Sequence, residues 1–204
     1  DLKTVHTQKF HLLVIDPTLT DYQHIHPEAA PTPGSYLFTF TPKLKGGYRA
    51  WANVTPMDTD QPQFAYADLG TPAAPAIDAR PSDSVQVDGY RFTLSFDDTA
   101  KAEESMMIGL RVTDASGQPV ETLEPAMGAF GHLVGFYDDY TTVVHMHPVG
   151  KEPRSDTERG GPALMFHFQP EKPGFVKLFA QVRIGGKDIY APFGIQIEKP
   201  SMSD

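Results

Sequence analysis

Six of the chain's eight histidines fall into two copies of one pattern, His-x12-His-x-His-Pro. The first copy is His11, His24, His26 and Pro27; the second is His132, His145, His147 and Pro148. Imidazole is a preferred ligand of Cu(II), Zn(II) and Ni(II), and three histidines with one open position are a common zinc arrangement. The six histidines are therefore candidate ligands for a copper or zinc ion. A second reading fits the same spacing: the rings are structural, with their nitrogens bonded to nearby backbone carbonyls. A structural motif would be copied as faithfully as a metal site. The chain has no cysteine, which excludes thiolate ligands, disulfides and cysteine nucleophiles together.

For three imidazoles so far apart in sequence to meet, the chain must fold back on itself. Residues 11–16 read as a strand, 17–20 as a turn and 21–26 as the return strand. If Asp16 faces Asp21, His11 sits opposite His26 and His24 opposite Leu13. Side chains two apart share a face of a strand, so all three rings project from one side of the hairpin. Cross-strand Cβ atoms lie about 4.5–5.5 Å apart, close enough for two rings to share an ion. The same geometry puts His132 opposite His147, with His145 beside them.

The hairpins belong to a longer repeat. HLLVIDPTLTDYQHIHP from His11 aligns without a gap on HLVGFYDDYTTVVHMHP from His132, at an offset of 121. LFTFTPKLKGGYRAWANV from Leu37 aligns without a gap on MFHFQPEKPGFVKLFAQV from Met165, at an offset of 128. Two gapless blocks in the same order point to an internal duplication, the seven extra residues lying in the polar loop 149–162.

Strand signals recur along the rest of the chain at the spacing of an all-β protein. Strands are expected near 8–16, 21–26, 35–41, 47–54 and 62–68. A second set is expected near 88–97, 104–114, 130–137, 141–147, 163–169, 174–182 and 188–198. With 19 prolines and 17 glycines and no sustained helical period, long helices are not expected. Residues 70–84 are poor in large apolar side chains and carry three prolines, so they read as a linker. The expected organisation is a shorter β module at 1–69, the linker at 70–84 and a second β module at 85–204, the two packed together. About 70 cysteine-free residues make a small core. Docking on the second module, a bound metal or a further upstream segment would each remedy that.

Other residues offer less. His6 is either a fourth imidazole for the first copy or an exposed side chain. His167 alternates away from Phe166 and Phe168, which places it outside the core. Met127 is a soft-ligand candidate or a packing residue; Met106, Met107 and Met146 read as packing. Asp138 and Asp139 fit a hairpin turn. No nucleophile elbow, HExxH helix, phosphate loop or dinucleotide fingerprint is present, so the chain is not expected to be an enzyme. A net charge of −9 without a basic run argues against nucleic acid as a partner. No apolar run approaches the ~20 residues of a membrane helix, and no signal peptide is seen in this chain.

The segment GAFGHLVGFYDDYTTVVHMHP, preceded by Asp114-Ala115-Ser116-Gly117-Gln118-Pro119-Val120, resembles a module of bacterial secreted and periplasmic β-sandwich proteins. Those proteins carry a Gly-His-Leu-Val…His-x-His-Pro pattern, and some occur beside copper or heavy-metal systems. The resemblance covers about 88–198 and, more faintly, 8–54. In the first copy Lys9-Phe10 stands where Phe130-Gly131 does, and no upstream strands precede it. The resemblance implies immunoglobulin-like β-sandwich modules, export to the periplasm or outside, and a role for His132, His145 and His147. Two functions follow as expectations. The first is copper or, second, zinc binding in metal delivery or resistance. The other is a non-enzymatic interaction module with structural histidines and a periplasmic or envelope protein as partner.

Overall fold

Extended, β-branched and aromatic-rich segments dominate the chain, and they build strands and no helix among the described residues. The computed structural model describes residues 1–5, 8–73, 76–146 and 148–201. The chain divides into two compact units between Asp78 and Ala79.

The first unit contains β1 (Phe10–Ile15), β2 (Tyr22–Ile25), β3 (Glu28–Ala29), β4 (Tyr36–Leu37), β5 (Tyr48–Val54) and β6 (Gln63–Leu69). Four of them form an antiparallel sheet in the order β2-β1-β5-β6, and β3 pairs with β4 separately. One face of the sheet buries Leu12, Val14, Tyr48 and Ala50. Phe40 packs on that cluster, and Tyr36 of β4 meets the Phe10 ring edge-on at 5.0 Å. The short ribbon and the loop after it thus form a reduced second layer over the sheet.

The second unit contains β7 (Ser84–Val87), β8 (Tyr90–Phe96), β9 (Met106–Thr113), β10 (His132–Tyr137), β11 (Val143–Met146), β12 (Ala163–Phe168), β13 (Gly174–Ile184) and β14 (Lys187–Ile197). Two four-stranded sheets result, β12-β9-β8-β7 and β11-β10-β13-β14. The chain crosses between them after β9, after β11 and again after β12, an immunoglobulin-type alternation in a β-sandwich. Their facing sides share one core, with Phe92, Ile108 and Phe166 from one sheet and Leu133, Leu178 and Phe193 from the other. Each such side chain, fully buried, stabilises the unit by about 1.5–3 kcal/mol relative to exposure.

The four-stranded sheets of the two units have the same strand order and the same pairing register. Leu13 pairs with His24 as Val134 pairs with His145, and His11 pairs with Asn53 as His132 pairs with Gln181. The correspondence runs upstream of the aligned blocks. The Lys3 amide donates to the Thr55 carbonyl at 2.8 Å, and the Glu124 amide to the Arg183 carbonyl at 2.8 Å.

Three local expectations differ from the structure. The strand at 35–41 shortens to Tyr36–Leu37. Its counterpart β12 pairs with β9, whereas the described first unit has no strand in the place of β9 to receive Phe38–Phe40. Residues 79–84, expected in the linker, lie in the second unit: Ser82 bridges Gly194, and Ser84 opens β7. Strand β7 itself was not expected. It is joined to β8 by Asp88-Gly89, both at positive φ, the turn chemistry of a two-residue hairpin.

Candidate metal centre

The first histidine hairpin is β1, the turn 16–21 and β2, and one carboxylate organises the turn. Asp16 accepts backbone N–H bonds from Thr18, Thr20 and Asp21, each at 2.8 Å, and a short bond from the Thr18 hydroxyl. Burial raises the Asp16 pKa, but these donors outweigh it and hold the group below the usual carboxylate value. Asp21 is also buried and accepts the Lys43 amide and the Tyr48 hydroxyl, each at 2.7 Å. Burial first, and the Asp21 carboxylate next, push the Tyr48 phenol up to about 12. In the second hairpin Asp139 does the turn's work, accepting the Thr141 and Thr142 amides and pairing with Lys172. Burial opposes ionisation of Asp139, yet the Lys172 and threonine donors bring it down to about 2.

With the turn fixed, the register is the expected one: Leu12 faces Ile25, Leu13 faces His24 and Ile15 faces Tyr22. The regular pairing stops at Ile25, one residue before His26, and Pro27 follows with no N–H to extend the ladder. The His26 ring still lies 5.1 Å from that of His11 and 5.2 Å from that of His24, centroid to centroid. The His11 and His24 centroids are 5.4 Å apart. One ligand nitrogen from each of the three rings falls within 4.8 Å of the other two. His11 is 3% exposed, and His24 and His26 are half-buried.

The pairwise contacts define the chemistry further. His11 Nε2 lies 3.1 Å from the Val5 carbonyl, and His11 Nδ1 lies 3.2 Å from His24 Nε2. In the second copy His132, fully buried, places Nε2 2.9 Å from the Ala126 carbonyl. Its ring is 5.6 Å from that of His145. His147 lies outside the described residues, as does His6. The structure therefore brings His11, His24 and His26 together and sets His132 beside His145.

Two features of the site escape a reading of the motif alone. Val5 and Ala126 supply the carbonyls, and each is six residues before its histidine. Each exchanges reciprocal amide–carbonyl bonds with the residue three positions on, Val5 with Gln8 and Ala126 with Ala129. The offset of 121 extended upstream would have found this pair, although the side chains do not match. Asn53 and Gln181 are the second feature, buried carboxamides facing His11 and His132 from the next strand. They were aligned in the second sequence block, and their shared amide chemistry was the overlooked signal.

The weaker candidates resolve mostly as packing or surface. Met106 and Met146 are in the core of the second unit, Met107 is half-buried, and His167 is exposed. Met127 takes a positive φ in the turn before His132.

No curated protein matches the chain in sequence. Solved structures similar at low level include the following three. A β-glycosidase from Bacteroides vulgatus is 13% identical with a TM-score of 0.29, over 93% of this chain and 21% of that one. The D00-D0 domain of intimin is 15% identical with a TM-score of 0.27, over 96% and 82%. Fibronectin(III)-like modules of Clostridium thermocellum CbhA are 12% identical with a TM-score of 0.26, over 93% and 78%. The fold rests on the chain's own strand order and registers, not on these likenesses. Residues 85–199 match the model of a family described as a domain of unknown function (DUF8832), and on that match over more than half its length the chain belongs to this family.

Proposed function

We propose that this protein is a non-enzymatic metal binder that holds a transition-metal ion, copper first and zinc second, on its histidine hairpin. His11, His24 and His26 are the ligands of the first site; His132, His145 and His147 are those of the second copy. The observation that carries the reading is the clustering of three ligand nitrogens within 4.8 Å. A donor set of imidazoles without thiolate or carboxylate suits Cu(II) and Zn(II). Delivery or resistance outside the cytoplasm is the physiological role we assign to it, in line with a chain that lacks cysteine.

A second reading has its own support: the histidines are structural, and the β-sandwich serves as an interaction module for an envelope protein. His132 is fully buried with its ring on a backbone carbonyl, which is how a structural histidine satisfies itself. Elemental analysis separates the two. Tag-free protein from cells grown with copper and zinc should retain metal in stoichiometric amount through dialysis. Protein that loses all metal at the rate of a histidine-free control would favour the structural reading.

A further inference from the structure

We infer that a backbone carbonyl selects the metal-binding nitrogen of the leading histidine in both copies, so that His11 and His132 bind through Nδ1 while His24 binds through Nε2. This rests on the metal reading and specifies its coordination.

A carbonyl oxygen only accepts hydrogen bonds, so the ring nitrogen facing it carries the proton. His11 Nε2 faces the Val5 carbonyl at 3.1 Å, and His132 Nε2 faces the Ala126 carbonyl at 2.9 Å. In a neutral ring the lone pair then resides on Nδ1. The device is built twice, from a reciprocally bonded pair of residues at the same distance before each histidine. Fixing one ring nitrogen on a carbonyl is how proteins orient a metal-ligating imidazole and raise its basicity.

In the first copy the selected Nδ1 points at a partner. It lies 3.2 Å from His24 Nε2. In the metal-free chain a single proton fills that gap, with His24 Nε2–H donating to His11 Nδ1. Zinc–imidazole bonds of about 2.0–2.1 Å in a tetrahedral site require ligand nitrogens about 3.3 Å apart. The observed separation already matches that edge. The ion takes the place of the proton, and His24 moves its own proton from Nε2 to Nδ1, so no net proton is lost from that ring. With His11 and His24 set, His26 completes the ligand set, one of its ring nitrogens lying within 4.8 Å of theirs.

Long-range proton–nitrogen correlation spectra of the 15N-labelled full chain, with any tag removed, read every ring nitrogen. Without metal, His11 and His132 should be Nε2–H tautomers, and His24 should be Nε2–H as well. With 113Cd(II) added, one-bond cadmium coupling should appear at His11 Nδ1 and His24 Nε2, and the His24 proton should move to Nδ1. An Nδ1–H tautomer at His11 or His132 in the metal-free chain overturns the inference. Coupling at His11 Nε2 also overturns it while leaving the metal-binding function standing. Absence of cadmium coupling at all histidines, with the Nε2–H tautomers in place, overturns the metal function and with it the ligation stated here.

Discussion

His11, His24 and His26 differ in what their loss removes. His11 is buried and bonded to the Val5 carbonyl, so replacing it disturbs the hairpin as well as the site. His24 and His26 are half-buried, and their removal separates binding from folding. Replacing a residue that merely orients a ligand costs about 10–100-fold in metal affinity. The double substitution His24→Ala/His26→Ala should therefore weaken the first site by about 100-fold or more, with far-ultraviolet circular dichroism unchanged. A second residue-scale outcome concerns Tyr48. Its phenol is raised from 10.0 to about 12, so the unfolded chain releases this proton first as pH rises. The contribution is complete below pH 10 and is lost between 10 and 12. Tyr48→Phe should remove that alkaline loss. It should also cost about 1–3 kcal/mol at neutral pH, because buried Asp21 loses a donor. Denaturant unfolding at pH 8 and 11 measures both. At this scale the sequence named the histidines but not Val5, Ala126, Asn53 or Gln181. Backbone carbonyls leave no residue-type signature, and a lone amide on a strand resembles any other polar position.

At the scale of elements, the hairpins were legible because period-two geometry leaves little freedom. Once the turn is placed, the pairing of Leu13 with His24 and of Val134 with His145 follows. The turn of the second hairpin supplies a test. Asp139 is lowered from 3.8 to about 2, against the effect of its burial, by Lys172 and the turn hydroxyls and amides. Its contribution is present above about pH 4 and disappears as pH falls toward 2. Asp139→Asn should make stability less dependent on pH across that window, seen in thermal unfolding at pH 5, 4 and 2.5. Strand packing gives a further expectation. Gly135 of β10 occupies the register position of Val14 in β1. A Cβ there would meet Leu178, Val176 and Val144 at 2.9–3.0 Å. Gly135→Val should destabilise the second unit by about 1–3 kcal/mol through overpacking, measured as a lower urea midpoint with unchanged slope. What the sequence hid was partnership. Phe38–Phe40 carry the same pattern as β12 yet form no strand, since a strand needs a neighbour and the described residues of the first unit supply none. Asp88-Gly89 was a readable hairpin signal, and β7 before it was short and only half-buried, which masked it.

Over the whole molecule, the two units differ in how much apolar surface holds them. The second has a two-sheet core, whereas among the described residues the buried cluster on the corresponding face of the first sheet consists of Leu12, Val14, Tyr48 and Ala50. Small cores of this kind gain from a bound metal. A ligand at about 100 times its dissociation constant stabilises the form that binds it by about 2.7 kcal/mol. Zinc at that excess should thus raise the unfolding midpoint of the chain, and His24→Ala/His26→Ala should remove the part owed to the first unit. The all-β class, the sandwich of the second unit and the repeated hairpin were each readable from alternating patterns, turn residues and two gapless blocks. The division at Asp78 and Ala79 fell within the proline-rich segment, but its edge was set by the Ser82–Gly194 bridge, a contact between residues more than a hundred positions apart that no local pattern records.

The most direct test is calorimetric titration of the tag-free full chain with Cu(II) and Zn(II), beside the His24→Ala/His26→Ala variant. A metal bound on the histidine hairpin predicts saturable binding by the unaltered protein and the loss of one equivalent in the variant. An identical isotherm for the two proteins, or no binding by either, would contradict it.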